Sequence, residues 1–170
     1  MQLDLFGSPE KYLAKLRQTW RDTIENDGGF CPCCDRWGKV SPQGMSETMA
    51  LGLLWLSRAD ADAHGWVNVP NTAPRWMLRG KTYTTMARWG LVEKGGRDDP
   101  AKKSDGMWRV TEKGWAFLRG QTPIPQKVYS YNNVIQGYSE NVVYFRDCFG
   151  KHFDYEAVMA DNFNLNAIKL

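Results

Sequence analysis

The amino-acid sequence predicts an α+β fold, and three observations carry that expectation. Apolar residues recur at helical spacing in segments bounded by capping residues. Two short extended runs joined by a long charged loop follow directly after a pair of short helices, and after Pro125 the pattern changes to period two. A chain of 170 residues can bury one main core with short appendages. With 42% hydrophobic and 24% charged residues it has the composition of a folding chain rather than a disordered one.

The elements follow in order. Ser8 then Pro9 suits a helix start, and Leu13, Leu16, Trp20 and Ile24 recur at helical spacing until Asn26-Asp27-Gly28-Gly29 ends the run. One buried face is expected of it. Ser46 is placed to cap a second helix in which Met49, Ala50, Leu53, Leu54 and Leu56 leave little polar surface, so that helix belongs at the centre of the core. A turn around His64 and Gly65 leads to Trp66, Val67 and Val69, an extended piece ended by Pro70. Pro74 to Arg79 reads as a short helix that Gly80 breaks. Lys81 to Trp89 reads as another, with Gly90 as its C-terminal cap.

Leu91 to Lys94 is an extended run, Gly95 to Gly106 a charged loop, and Met107 to Val110 a second extended run. Thr111-Glu112-Lys113-Gly114 then opens an apolar segment through Leu118. Two strands so joined, directly after a helix pair, make a wing, and the expected core is a winged helix-turn-helix. Beyond Pro125, Val128, Tyr129 and Tyr131 precede Asn132-Asn133, and Val134, Ile135 and Tyr138 follow it. Asn tolerates positive φ, so a C-terminal β-hairpin extension is expected there. Val142 to Phe145 fits either a third strand or a helix capped by Ser139, and Asp154 to Met159 reads as a short terminal helix before a loose tail. The expected organisation is an arm over 1–7, an N-terminal helix plus cysteine knuckle over 8–44, the winged helix over 45–120, and a hairpin with a short helix over 121–170.

The segment LVEKGGRDDPAKKSDGMWRVTEKG, Leu91 to Gly114, resembles the wing of the MarR-type winged-helix regulators, where GLVE, a charged hairpin and LTEKG follow the recognition helix. The resemblance covers about Met45 to Arg119. It implies that Lys81 to Trp89 is the recognition helix; helical spacing turns Tyr83, Met86 and Ala87 inward, which leaves Lys81, Thr84, Thr85 and Arg88 toward the major groove. Arg79 joins that DNA-binding set, and Arg97, Lys102 and Lys103 are the wing's expected backbone or minor-groove contacts. The chain departs from the family at the wing tip, where Asp98-Asp99 and Lys102-Lys103 replace the usual Asp-Arg pairing. It departs again at Gly120 to Pro125, which halts the chain where those regulators continue into dimerisation helices.

Charge distribution points the same way. Arg75 to Arg119 holds eleven Lys and Arg against five Asp and Glu, a net +6, within a chain of net +3, so the remainder is net −3. A positive segment in an otherwise acidic protein is the electrostatic footprint of a surface that meets phosphates, and a solvated face is the bland alternative.

Two further motifs bear on partners. Cys31-Pro32-Cys33-Cys34 contains the spacing by which one tight turn presents two thiolates to zinc. Closure needs ligands from afar: Cys148 and His152 are the best placed in sequence, His64 or Cys33 can substitute, and four inert buried thiols are the alternative. The expected metal set is Cys31, Cys34, Cys148 and His152. Gln2-Leu3-Asp4-Leu5-Phe6 resembles the pentapeptide by which bacterial replication and repair proteins dock on the DNA sliding clamp. That resemblance implies an extended peptide anchored by Gln2, with Leu3, Leu5 and Phe6 as its apolar part and Leu5 and Phe6 in an apolar pocket. Packing of the same residues onto the chain's own core is the alternative.

Several classes are excluded. The longest apolar stretch, Met49 to Leu56, is broken by Gly52 and falls far short of the roughly 20 residues of a spanning helix. Neither an export signal nor an oxidising pattern of cysteines is visible, so a cytoplasmic location is expected. With His64 and His152 as the only histidines, and no phosphate-binding glycine loop or nucleophile elbow, a non-enzyme without a small-molecule substrate is expected. The expected partner is double-stranded DNA, with a sliding clamp as a second. A phage-encoded module that grips protein through the same fold is the alternative, and the overall style is similar to accessory proteins of phage or mobile elements.

Overall fold

The computed structural model describes residues 8–96 and 106–150. In chain order the elements are α1 (Pro9–Glu25), β1 (Gly29–Phe30), β2 (Trp37–Gly38), β3 (Ser41–Gly44), α2 (Glu47–Arg58), β4 (Val67–Asn68), α3 (Val69–Thr72), α4 (Arg75–Gly80) and α5 (Thr82–Met86). They continue as β5 (Val92–Lys94), β6 (Met107–Val110), α6 (Glu112–Leu118), β7 (Ile124–Pro125), β8 (Lys127–Tyr131), β9 (Val134–Tyr138) and β10 (Val142–Val143). Short 3-10 turns cover Ala87–Trp89 and Phe145–Cys148. The protein is thus α+β, as expected. It divides into two compact units: Met1–Gln43 with Tyr129–Gly137, and Gly44–Val128 with Tyr138–Leu170.

In the first unit, α1 begins at Pro9 as its sequence predicts, but the Ser8 side chain makes no capping bond. The expected buried face is only partly realised: Ile24 is buried, Leu16 and Trp20 are half-buried, and Leu13 is exposed. Among the described residues, the first half of the helix is exposed from Pro9 to Lys15. Its second half meets the short antiparallel pair β1–β2, in which Gly29 faces Gly38 and Phe30 faces Trp37. Gly38 lies so close to the Trp20 ring that a Cβ there would sit 2.7 Å from it. Strands β3, β8 and β9 form a sheet in that order, and the β8–β9 turn places Asn132 and Asn133 at φ 48° and 62°. Two successive left-handed residues are what the Asn-Asn pair allows.

The second unit is organised around α2. Ser46 accepts from the Met49 N–H and so caps the helix, and every residue from Ala50 to Leu56 is buried. An all-apolar helix at the centre of a core is the physical solution for such a segment. Against it pack Met77 from α4, Tyr83 and Met86 from α5, Trp89, Leu91, Trp108 from β6, Phe117 from α6, and Phe145. Strands β4, β6 and β5 form an antiparallel sheet in that order, with Val67 facing Trp108 and Val92 facing Val110. The ambiguous Val142–Val143 resolves as strand β10, paired with β7.

Three local expectations are corrected. Val69 is not extended but opens α3, because Pro70 suits a first helical turn and the Asn68 side chain accepts from Asn71 N to cap it. Gly80 closes α4, and Lys81, at φ 47° and ψ 31°, is the left-handed joint between α4 and α5, so the α-helix that follows spans Thr82–Met86. Ala87 is exposed rather than inward, because the backbone tightens into a 3-10 turn after Met86 and the inward position passes to Trp89. Gly90 ends that turn at φ 70°, the cap its sequence position predicts.

The helix–strand junction after β6 explains the Thr-Glu-Lys-Gly run. Thr111 N donates to Leu91 O at 3.0 Å, its hydroxyl donates to Gly90 O at 2.6 Å, and the same oxygen accepts from Gly114 N at 3.0 Å. The α6 start is thereby pinned to the chain entering β5. No helix of the described residues is long and apolar enough to cross a membrane.

Candidate nucleic-acid interface

All the elements of this surface lie in the second unit. Arg75 and Arg79 on α4, Lys81 at the joint and Thr84 on α5 are exposed, while Thr85 and Arg88 are half-buried. The Thr84 hydroxyl donates to Lys81 O at 2.8 Å, so it retains acceptor capacity but no free proton for a base edge. Arg88 O accepts from the Tyr138 hydroxyl at 2.8 Å, which anchors the end of the 3-10 turn. Arg97, Lys102 and Lys103 fall outside the described residues.

Between the start of α5, the α3 cap and strands β5 and β6 lies an open groove of about 480 Å³. Lys81 and Thr84 line one side, Asn68 and Asn71 another, and Lys94 and Trp108 come from the paired strands. Two ammonium groups and two side-chain amides border it, and none of its described lining residues is acidic. That donor set fits phosphate oxygens. Lys94 and the two asparagines were not singled out from sequence. Their signal is register: Lys94 faces Trp108 at the end of the ladder, and Asn68 faces Met107, which brings both onto one end of the sheet.

A larger groove of about 690 Å³ has a different character. Arg109, which faces Glu93 across β5–β6, is ion-paired to it and also lies 4.5 Å from the Trp66 ring centroid. Glu112 and Lys113 add one charge of each sign to its lining. Its described lining thus carries charges of both signs. The Asp62 turn borders the same region. The backbone N–H of Trp66, and then that of His64, hold the Asp62 carboxyl below its usual range.

The expected metal set lies only partly within the described residues. Cys31 belongs to the first unit and Cys148 to the second, and His152 falls outside the described residues. Cys148 donates its S–H to Tyr144 O at 3.6 Å. Burial, and then the Asp147 charge, pushes its pKa up to about 12. Among the described residues no group of three or more His, Cys, Asp or Glu is arranged to hold an ion. Cys31 differs from Cys148: the backbone N–H groups of Cys33 and then Cys34 bond to its sulfur and hold its pKa below the usual thiol value. The clamp-type peptide, Gln2 to Phe6, also falls outside the described residues.

No protein-family model, no curated protein and no solved structure matches this chain.

Proposed function

We propose that the chain binds double-stranded DNA through a winged helix-turn-helix made by α2 to α6. The reading is supported by the order of the elements, in which the helices α4 and α5 are followed at once by the β5–β6 hairpin, with β4 as the third strand beside β6. The observation that carries it is the groove between α5 and that hairpin, whose described lining brings Lys81 and Lys94 together with the side-chain amides of Asn68 and Asn71. Cations at such a corner meet successive backbone phosphates while α5 approaches the major groove.

Binding of a fluorescent random-sequence duplex, measured by anisotropy across a salt series, tests this. Each phosphate contact contributes roughly 0.9 to the slope of log affinity against log salt. The double variant Lys81→Ala, Lys94→Ala is expected to bind all sequences more weakly and to flatten that slope by about 2. Equal affinity of variant and parent at low salt would remove the DNA reading. A module that grips protein is the second reading, favoured by the exposed Phe30, Trp37 and Val134 of the first unit.

Recruitment to a bacterial sliding clamp through Gln2 to Phe6 belongs to the same proposal, and rests on the peptide sequence alone. Short peptides that order on binding reach micromolar affinity, about −8 kcal/mol. Leu5→Ala with Phe6→Ala is expected to abolish capture by an immobilised clamp and to leave the melting temperature unchanged. A fall of several degrees would instead place those side chains in the protein's own core.

A further inference from the structure

From the Lys81 joint to Trp89 the exposure of the side chains follows a three-residue period. Tyr83, Met86 and Trp89 are buried, Thr82, Thr85 and Arg88 are half-buried, and Lys81, Thr84 and Ala87 are exposed. An ideal α-helix of about 3.6 residues per turn would wind such a stripe steadily around its axis. The 3-10 turn Ala87–Trp89 follows directly on α5, and in that tighter winding side chains three positions apart eclipse one another. One outward row results, Lys81, Thr84 and Ala87, and its first two members line the smaller groove. The far end of the row is fixed within the second unit: Trp89 Nε1–H donates to Pro125 O at 2.7 Å, and the Tyr138 hydroxyl donates to Arg88 O at 2.8 Å.

The chemistry of this row is selective. A threonine hydroxyl has one proton and two lone pairs, and the Thr84 proton is committed to Lys81 O at 2.8 Å, so toward a ligand Thr84 accepts only. In the major groove its match is an amino group, N6 of adenine or N4 of cytosine, whereas guanine N7 and O6 and thymine O4 are acceptors like itself. Ala87 offers a methyl group and nothing else, and the apolar group that the major groove presents is the C5 methyl of thymine. Side chains three apart on one helical face have Cβ atoms roughly 5–6 Å apart. That spacing is one to two base steps of about 3.4 Å.

We infer, resting on the duplex-binding reading, that Thr84 and Ala87 make α5 select A·T over G·C base pairs in the major groove. Thr84 Oγ1 accepts from the N6 amino group of adenine, the Ala87 methyl packs on the C5 methyl of a thymine in the same or the next pair, and Lys81 holds a neighbouring phosphate. A G·C pair satisfies Thr84 through cytosine N4 but leaves Ala87 facing a ring edge without a methyl group. Thr84 and Ala87 are thus the specificity-determining pair, and Lys81 adds affinity without preference.

Anisotropy of fluorescent duplexes with the full chain at one fixed salt concentration tests this. The parent is expected to bind an A·T duplex about tenfold more tightly than a G·C duplex. Deoxyuridine in place of thymidine removes the C5 methyl groups alone and is expected to weaken binding about fourfold, the worth of one buried carbon. 5-Methylcytosine in the G·C duplex is expected to restore the same factor. Ala87→Ser binds the thymidine and deoxyuridine duplexes equally. 2-Aminopurine in place of adenine moves the amino group out of the major groove; it weakens binding of the parent and leaves that of Thr84→Val unchanged. A parent that binds A·T and G·C duplexes equally, or that ignores the thymine methyl groups, overturns the inference and leaves duplex binding standing. An equal loss on 2-aminopurine in the parent and in Thr84→Val overturns the role of Thr84. Binding to neither duplex overturns the duplex reading and this inference together. Because the decisive changes are made in the DNA, a variant that fails to fold leaves the parent's responses to settle the outcome.

Discussion

Trp89→Ala is expected to be among the most damaging single changes in the protein, costing about 4 kcal/mol and lowering the melting temperature by roughly 8–16 °C. The indole is 1% exposed and packs in the α2 cluster. Its Nε1–H donates to Pro125 O at 2.7 Å, which ties the end of the 3-10 turn to β7. Truncation removes the largest fully buried side chain among the described residues, opens a cavity and leaves that carbonyl without this donor. Trp89→Phe keeps most of the packing and loses the hydrogen bond, so about 1–2 kcal/mol is expected. Chemical denaturation of the three proteins separates the contributions. Equal losses in both variants would mean that the hydrogen bond, not the volume, dominates.

Gly114→Ala is expected to cost about 2–3 kcal/mol, although alanine is ordinarily the better helix former by about 1 kcal/mol. A Cβ at Gly114 would lie 2.2 Å from Leu91 O and 2.7 Å from Val110 Cγ1. Leu91 O is backbone and already accepts from Thr111 N, so it has no inexpensive way to retreat. Gly96→Ala is the control, because nothing lies within 4 Å of its would-be Cβ, and it is expected to change stability by less than about 0.5 kcal/mol. If the two alanine variants melt together, the close approach of α6 to Leu91 is not a constraint on the fold.

These positions also show which parts of the structure were legible in the sequence. Local signals were read well where one residue type has one physical use. Ser46 as a cap, Gly90 at positive φ, the Asn132-Asn133 turn and the apolar run that makes α2 all belong to this kind. Reading failed where the outcome depends on what lies opposite. Leu13 has helical spacing yet stays exposed, since an apolar stripe is buried only if something covers it. Ala87 was placed inward by a 3.6-residue period that the chain abandons one residue earlier. The groove residue Lys94 is one of eleven cations in its stretch, and only the β5–β6 register distinguishes it from the rest. The expected metal set illustrates the same limit, because two cysteines on one turn are visible in sequence, whereas what lies near them in space is not.

Lys81 has a meaning beyond its place at the groove. A lysine at φ 47° sits in a backbone region that costs an L-residue about 1 kcal/mol, whereas glycine adopts it freely. The residue that folding would favour at this joint carries no charge, and the residue present carries one of the two ammonium groups of the groove. Thermal robustness and the positive charge of the groove therefore conflict at a single backbone position. Selection for heat resistance alone would drift this joint toward glycine and erode the groove without disturbing any packed side chain.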